Sequence, residues 1–122
     1  MHFLLAEDNE INMEIAEFYL TDLGATVSKA WNGKEALELF EASEPGSYDV
    51  ILMDVMMPEM DGHEAAHRIR ALKRPDAQTV RIVAMTAQTS EDSIQKCLDA
   101  GMDGHIAKPI NEEKLLSVLH KI

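Results

Sequence analysis

The sequence is poor in cysteine, in positive charge and in long apolar runs. Cys97 is its single cysteine, which excludes an intramolecular disulfide and a CxxC metal or redox motif. Its 11 Lys and Arg stand against 22 Asp and Glu, for a formal net charge of −11. This balance argues against direct nucleic-acid binding through a basic face and against contact with an anionic membrane. No apolar run suits a bilayer span or a signal peptide, so we expect a cytoplasmic location.

The 122 residues are enough for one domain with one core, so we expect a single domain over 1–122. Four short apolar runs predict strands buried on both faces, because they do not alternate with polar residues. These runs are 3–6, 50–53, 82–85 and the weaker 106–107. The more polar segment 25–30 predicts an edge strand.

Helical spacing predicts five helices, one after each strand. The first spans 10–23 and has an unusually wide apolar arc. The other four follow polar residues of the kind that begin helices, at Asn32, Asp61, Ser90 and Asn111. The last is expected to place Leu115, Val118, Leu119 and Ile122 on one face. A strand followed by a helix five times over indicates an α/β fold with a parallel sheet covered on both faces.

Polar side chains follow four of the predicted strands. Glu7 and Asp8 follow the first apolar run, Asp54 the next, then Thr86 and Lys108. Ligands of open parallel sheets bind outside the carboxyl ends of the strands, so we expect these side chains to form one site. If the first and third strands are neighbours, their ends lie about 5 Å apart.

Three crowded carboxylates repel one another and need compensation, which Mg²⁺ can supply while keeping waters that a phosphate oxygen replaces. Lys108 would act as a point charge on that phosphate, and Thr86 would donate a hydrogen bond to it. Singly, each residue also has an ordinary role, as a helix cap, a turn residue or a solvated strand end. Their joint occurrence favours a phosphate site.

Four motifs resemble the receiver domain of two-component response regulators. They are LLAEDNEIN at 4–12, DVILMDVMMPEMDG at 49–62, AMTA at 84–87 and GHIAKPI at 104–110. Their order and spacing match that family over essentially the whole chain. The resemblance implies a flavodoxin-like, doubly wound (βα)5 fold with a five-stranded parallel sheet in the order 2-1-3-4-5.

The resemblance also implies the chemistry. Asp54 would be the phosphoacceptor, and the donor would be a phosphohistidine on a histidine kinase or a histidine phosphotransfer domain. Lys108 and Thr86 would contact the phosphoryl group. The metal, Mg²⁺ with Mn²⁺ as a substitute, would be held by Glu7, Asp8, Asp54 and the backbone carbonyl of Met56. The resemblance further implies a cis peptide bond before Pro109.

Two positions bear on switching and two on the lifetime of the aspartyl phosphate. Thr86 would move towards the phosphoryl group, and His105 stands where the family more often has a Tyr or Phe that rotates inward. His105 is either such a switch or an exposed strand-end histidine without a signalling role. Met56 and Gln88 occupy the lifetime positions. Met56 cannot orient a water for hydrolysis, whereas the Gln88 amide is able to, and we expect a lifetime that is not especially short.

The resemblance implies that the first helix and the last strand–helix loop contact the phosphodonor. The residues expected there are Asn9, Ile11, Asn12, Ile15 and Pro109. The alternative is that neighbouring elements cover the wide apolar arc of this helix. Receivers often dimerise through the fourth and fifth helices, so a homodimer is a further expectation.

Two other functional classes are weaker interpretations. A magnesium-dependent phosphohydrolase would carry an acid two residues after its aspartyl nucleophile, where this chain has Met56. A degenerate receiver that acts only as an interaction module would not need the complete polar set at the strand ends. We therefore expect no turnover enzyme, but a domain that catalyses its own phosphorylation and dephosphorylation. The AEDN and MTA segments resemble receivers attached to hybrid sensor histidine kinases.

Overall fold

Strands and helices alternate along the chain in the computed structural model, which describes residues 1–120. The elements are β1 (His2–Ala6), α1 (Glu10–Asp22), β2 (Thr26–Ala30), α2 (Gly33–Ala42), β3 (Val50–Asp54), α3 (Gly62–Arg70), β4 (Arg81–Thr86), α4 (Glu91–Asp99), β5 (Gly104–Ala107) and α5 (Glu112–Leu119). The helices are 8 to 13 residues long. Within residues 1–120, none of them is both long and apolar enough to cross a lipid bilayer.

The five strands form one parallel sheet in the order β2-β1-β3-β4-β5. The register pairs Ala6 of β1 with Met53 of β3, and Asp54 of β3 with Met85 of β4. The predicted flavodoxin-like fold and strand order are therefore confirmed. The register also brings the carboxyl ends of β1, β3 and β4 side by side.

The three central strands β1, β3 and β4 contribute to two apolar layers, because successive side chains point to opposite faces of a sheet. Leu4 and Ile51 face the layer covered by α2, α3 and α4, whereas Leu5 and Leu52 face the layer covered by α1 and α5. All four are fully buried, and each such burial stabilises the fold by about 1.5–3 kcal/mol. The central strand β3 is buried at every position, as its unbroken apolar run predicts.

Polar residues cap the N-termini of the five helices. The side chain of each cap accepts a hydrogen bond from the backbone N–H three residues later; the caps are Asn9, Asn32, Asp61, Ser90 and Asn111. The predicted starts of the last four helices are therefore confirmed. On the predicted face of α5, Leu115 is buried and Val118 and Leu119 are half-buried, while Ile122 lies outside the described residues.

The loop between β3 and α3 is tightly constrained. A Cβ atom at Gly62 would collide with the carbonyl oxygen of Asp54, so this position requires glycine. Glu59 has a φ of +64°, in the region that disfavours side chains. The adjacent N–H of Met60 donates to the carbonyl of Pro58 at 2.7 Å. This turn holds the backbone in place just after the end of β3.

Candidate functional site

Three carboxylates meet at the carboxyl edge of the sheet. One oxygen from each of Glu7, Asp8 and Asp54 lies within 4.8 Å of the others. Glu7 is 1% exposed and Asp54 is 3% exposed, whereas Asp8 is exposed to solvent. They converge because β1 and β3 are neighbours and Ala6 pairs with Met53, which brings the residues that follow close together.

Lys108 supplies the positive charge of this cluster. Its Nζ lies 3.1 Å from Oε2 of Glu7 and 3.0 Å from Oδ2 of Asp54. The backbone N–H of Lys108 donates to the carbonyl of Thr86 at 2.9 Å, which ties the end of β5 to the end of β4. One ammonium faces three carboxylates, so the cluster keeps a net negative charge that attracts a cation.

Burial and neighbouring charges shift the pKa values of Glu7 and Lys108. Burial raises the pKa of Glu7, and the charge of Asp54 raises it further, against the opposing effect of Lys108. For Lys108, burial acts to lower the pKa, but the hydrogen bonds and charges of Asp54 and Glu7 outweigh it and raise the pKa above its ordinary value. Lys108 therefore stays cationic at neutral pH.

Two backbone N–H groups orient the buried carboxylates from the other side. The N–H of Asn9 donates to Oε1 of Glu7 at 3.3 Å, and the N–H of Met56 donates to Oδ1 of Asp54 at 3.3 Å. The side chain of Met56 is 75% exposed and points away from the core. Each buried carboxylate thus has one oxygen on Lys108 and the other on the backbone.

Thr86 lies one residue beyond the pairing of Asp54 with Met85 and is 7% exposed. Its Oγ1 accepts from the N–H of Gln88 at 3.0 Å and lies 3.1 Å from the Gln88 carbonyl, to which it donates. The Gln88 side chain is itself engaged, because its Oε1 accepts from Oγ of Ser93 at 3.3 Å. The Thr86 hydroxyl therefore bonds to the loop after β4.

His105 lies on β5 and pairs with Ala84 of β4. Its side chain is half-buried and borders a groove beside α5. The peptide bond between Lys108 and Pro109 is cis.

Three of the five residues expected at the donor surface, Asn12, Ile15 and Pro109, line a groove beside the site. Ile11 and Ile15 are 67% and 41% exposed, so neighbouring elements do not cover the outer part of the α1 arc. A groove of about 290 Å³ runs from this helix to the acidic cluster. It is lined by Glu7, Asn12, Ile15, Lys108, Pro109 and Ile110.

Two residues of this surface are absent from the sequence-based set. Phe18 is 64% exposed, one helical turn beyond Ile15, and the i, i+4, i+7 spacing that starts at Ile11 was the available signal. Ile110 lines the groove directly after Pro109. Ile110 extends the apolar lining of the groove beside the acidic cluster, and Phe18 continues the exposed apolar stripe farther along α1.

Comparison with known sequences agrees with this geometry. A sequence model of the family described as "Response regulator receiver domain" matches residues 3–120. The chain is 39% identical, over an alignment of 133 positions that includes gaps, to a protein named probable histidine kinase 2 from Oryza sativa subsp. indica. That match covers 100% of this chain and 13% of the kinase, so the chain spans a small part of that relative's length.

Solved structures share the fold over nearly the whole chain. Chemotaxis protein CheY4 of Vibrio cholerae aligns with a TM-score of 0.89 and 30% identity, covering 99% of this chain and 97% of that one. The receiver domain of a sensor histidine kinase from Pseudomonas aeruginosa PAO1 aligns with a TM-score of 0.87 and 35% identity, covering 98% and 94%. The latter was solved with a magnesium ion coordinated in its active site cleft. With its strand order, its acidic edge and these matches, the chain belongs to the response regulator receiver domain family of two-component signalling.

Proposed function

We propose that this domain, over residues 1–122, accepts a phosphoryl group on Asp54 from a phosphohistidine of a histidine kinase or histidine phosphotransfer domain. The observation that carries the proposal is the position of the Lys108 ammonium between Glu7 and Asp54. Asp54 is a buried carboxylate beside a fixed cation, and the exposed Asp8 lies at the solvent side of the cluster. This arrangement suits an incoming phosphoryl group. The backbone N–H of Met56 on the other oxygen supports the orientation of Asp54.

The donor set fits Mg²⁺. Three carboxylates within 4.8 Å offer hard oxygen ligands, and their uncompensated negative charge favours a divalent cation. Asp8 and Asp54 would bind it, with Glu7 beside them and the backbone carbonyl of Met56 as a further ligand. When bound, the cation supplies charge neutralisation for the phosphoryl oxygens. Mn²⁺ prefers the same oxygen ligands and is the proposed substitute.

The residues of the chain carry the transfer itself. An Oδ atom of Asp54 attacks phosphorus in line with the scissile P–N bond of the phosphohistidine. The donor reacts with its other ring nitrogen protonated. The new P–O bond forms as the P–N bond breaks, and the electron pair of that bond returns to the ring nitrogen, so neutral imidazole leaves. Lys108 holds positive charge against the phosphoryl oxygens throughout. The product is an aspartyl phosphate on the chain itself.

The switch involves Thr86 and His105. The Thr86 hydroxyl must leave the carbonyl of Gln88 before it can donate to the phosphoryl group, and this exchange would move the loop after β4. His105 borders the groove beside α5 and would respond to that movement by turning inward. The Met56 side chain cannot orient a water, and Gln88 would have to release Ser93 to do so, which supports a phosphoryl lifetime that is not especially short.

The surface formed by Asn9, Ile11, Asn12, Ile15 and Pro109 is the proposed contact for the donor. The exposure of Ile11 and Ile15 and the groove beside Lys108 support this assignment. The matched rice kinase and a hybrid signal transduction histidine kinase of Dictyostelium discoideum each contain a region similar to nearly this whole chain, which supports a hybrid histidine kinase as the parent protein. A cytoplasmic location of the domain is part of the proposal. A homodimer through α4 and α5 is the proposed assembly, supported by Leu98, which is 48% exposed on α4.

Intact-mass spectrometry tests the proposal. The protein is incubated with acetyl phosphate and Mg²⁺, or Mn²⁺ in a parallel sample, beside Asp54→Ala and a chelator control. We expect a gain of one phosphoryl group that needs both Asp54 and the metal. If no gain appears with rapid quenching, and none with a phosphorylated histidine donor, the proposed function is wrong and a phosphate-independent interaction module replaces it.

A further inference from the structure

Lys114 makes contacts that its position in α5 does not require. It is the third residue after the cap Asn111, whose side chain accepts from the Lys114 backbone N–H at 2.8 Å. The Lys114 side chain turns back out of the helix. Its Nζ donates to the carbonyl of Ala107 at 3.2 Å and to the carbonyl of Pro109 at 3.0 Å.

This placement runs against helix electrostatics. The positive end of the helix dipole disfavours a cation in the first turn, where the neighbouring Glu112 and Glu113 are favourable. A lysine held in one geometry also loses rotamer entropy. A solvated side chain would avoid both costs. The two carbonyl contacts offset them and connect α5 to the end of β5.

Lys108 lies between the two carbonyls that Lys114 holds. Its own N–H donates to Thr86 at 2.9 Å, so the backbone around it is held from β4 and from α5. From this point the flexible stem of Lys108 carries its ammonium to Glu7 and Asp54. The position of that ammonium depends on where its stem begins.

We infer that Lys114 is a positioning residue for phosphoryl transfer: it holds the backbone on both sides of Lys108 and thereby places the Lys108 ammonium at Asp54. The inference rests on the proposed function of Asp54. Misplacement of a catalytic group by about 1 Å can cost about 100-fold in rate. Lys108 keeps its bond to Thr86 without Lys114, so we expect a smaller loss, about fivefold.

The test compares three variants in the same intact-mass assay, with rates expressed per folded protein. Lys114→Met removes the donor, Lys114→Arg keeps a cation that donates to carbonyls, and Lys34→Met is the matched control. Lys34 is an exposed lysine in the first turn of α2, two residues after the cap Asn32. Its removal therefore also deletes a first-turn cation. Titration calorimetry measures Mg²⁺ affinity for each variant, and thermal unfolding measures its stability.

We expect Lys114→Met to slow phosphorylation by acetyl phosphate about fivefold, with Lys114→Arg and Lys34→Met within about twofold of the native rate. Mg²⁺ affinity should stay within about twofold in all three, because Lys114 contacts no carboxylate of the site. If Lys114 only stabilised the fold, Lys114→Met would lower the stability of the protein. It would not slow phosphorylation while leaving the Mg²⁺ affinity unchanged.

Three results would overturn the inference: a native rate in Lys114→Met, an equal slowing in Lys34→Met, or a parallel loss of Mg²⁺ affinity and rate. These are distinct from failure of the proposed function. If the native protein takes up no phosphoryl group, both proposals fall. If it does and Lys114→Met matches it, the role of Lys114 alone is wrong.

Discussion

The ammonium of Lys108 lies 3.0 Å from Asp54 and 3.1 Å from Glu7, so a single cation joins two buried carboxylates from neighbouring strands. The third carboxylate, Asp8, is left without this partner and faces solvent. The site therefore combines a fixed positive charge with excess negative charge. This combination is what the proposed divalent cation and the proposed phosphoryl group require of the site.

Glu7→Gln should stabilise the metal-free protein at neutral pH. Burial and the charge of Asp54 raise the pKa of Glu7, so ionised Glu7 is unfavourable in the folded state and a neutral amide relieves that cost. We expect Tm to rise by about 2–5 °C. Thermal unfolding in the presence of a chelator measures this, with the exposed Glu14→Gln of α1 as the control.

The pH dependence of this effect has a definite sign. Because the folded-state pKa is raised, the folded chain binds more protons than the unfolded chain, and its stability from Glu7 increases as pH falls through the raised value. The increase levels off below the unfolded value of 4.5. The advantage of Glu7→Gln should therefore shrink towards that pH. A variant less stable than the native protein at neutral pH would show that ionised Glu7 is not unfavourable.

Mg²⁺ should stabilise the native protein but not Asp8→Asn. A cation that binds only the folded state adds about 2.7 kcal/mol at 100 times its Kd. Asp8 is exposed, so the substitution removes a ligand without disturbing the core. Thermal unfolding across a Mg²⁺ series measures the shift, and excess chelator should reverse it. An equal shift in both proteins would exclude Asp8 from the metal site.

Ile15→Asp should separate transfer from a protein donor from transfer from a small molecule. Ile15 is 41% exposed and lines the groove beside Lys108, so a charge there would disrupt an apolar contact with a phosphotransfer domain. We expect about a tenfold slower transfer from the phosphorylated domain and an unchanged rate with acetyl phosphate. Leu23→Asp, a similarly exposed apolar position (36%) at the opposite end of α1, is the control. Equal rates of transfer from the phosphorylated domain to both variants would show that the donor does not contact Ile15.

Glu59→Gly should stabilise the protein by about 1 kcal/mol, because glycine adopts its φ of +64° without the cost that a side chain carries. Gly46 provides the converse, since its φ is +85° with open space around it, and Gly46→Ala should destabilise the protein. Chemical unfolding measures both changes. A less stable Glu59→Gly would mean that the Glu59 side chain makes a compensating contribution.

The sequence predicts the fold and the members of the acidic cluster for a physical reason. Apolar runs that end in polar residues mark the carboxyl ends of parallel strands, so Glu7, Asp54 and Lys108 can be placed at one edge without knowledge of their contacts. The order of the strands does not follow from these runs, because a strand that is apolar on both faces can pair through its backbone with any other such strand. That order came from the resemblance to receivers.

Contacts made by long side chains could not be predicted. Lys114 has many rotamers, and nothing in its spacing indicates that it turns back to the carbonyls of Ala107 and Pro109. Likewise, Glu35 stands at the capping-box distance from Asn32, but its Oε1 accepts from the N–H of Trp31 instead. Sequence spacing predicts which residues share an edge or a turn, whereas the direction of a flexible side chain depends on the surrounding packing.

The most direct test of the central claim is to locate the phosphoryl group chemically. Borohydride reduces an aspartyl phosphate to homoserine, so reduction after incubation with acetyl phosphate and Mg²⁺, followed by peptide mass spectrometry, identifies the acceptor. We predict homoserine at position 54 and nowhere else, and its loss when the metal is chelated. Homoserine at position 8, or an unmodified Asp54 in a protein that has gained a phosphoryl group, would contradict the account.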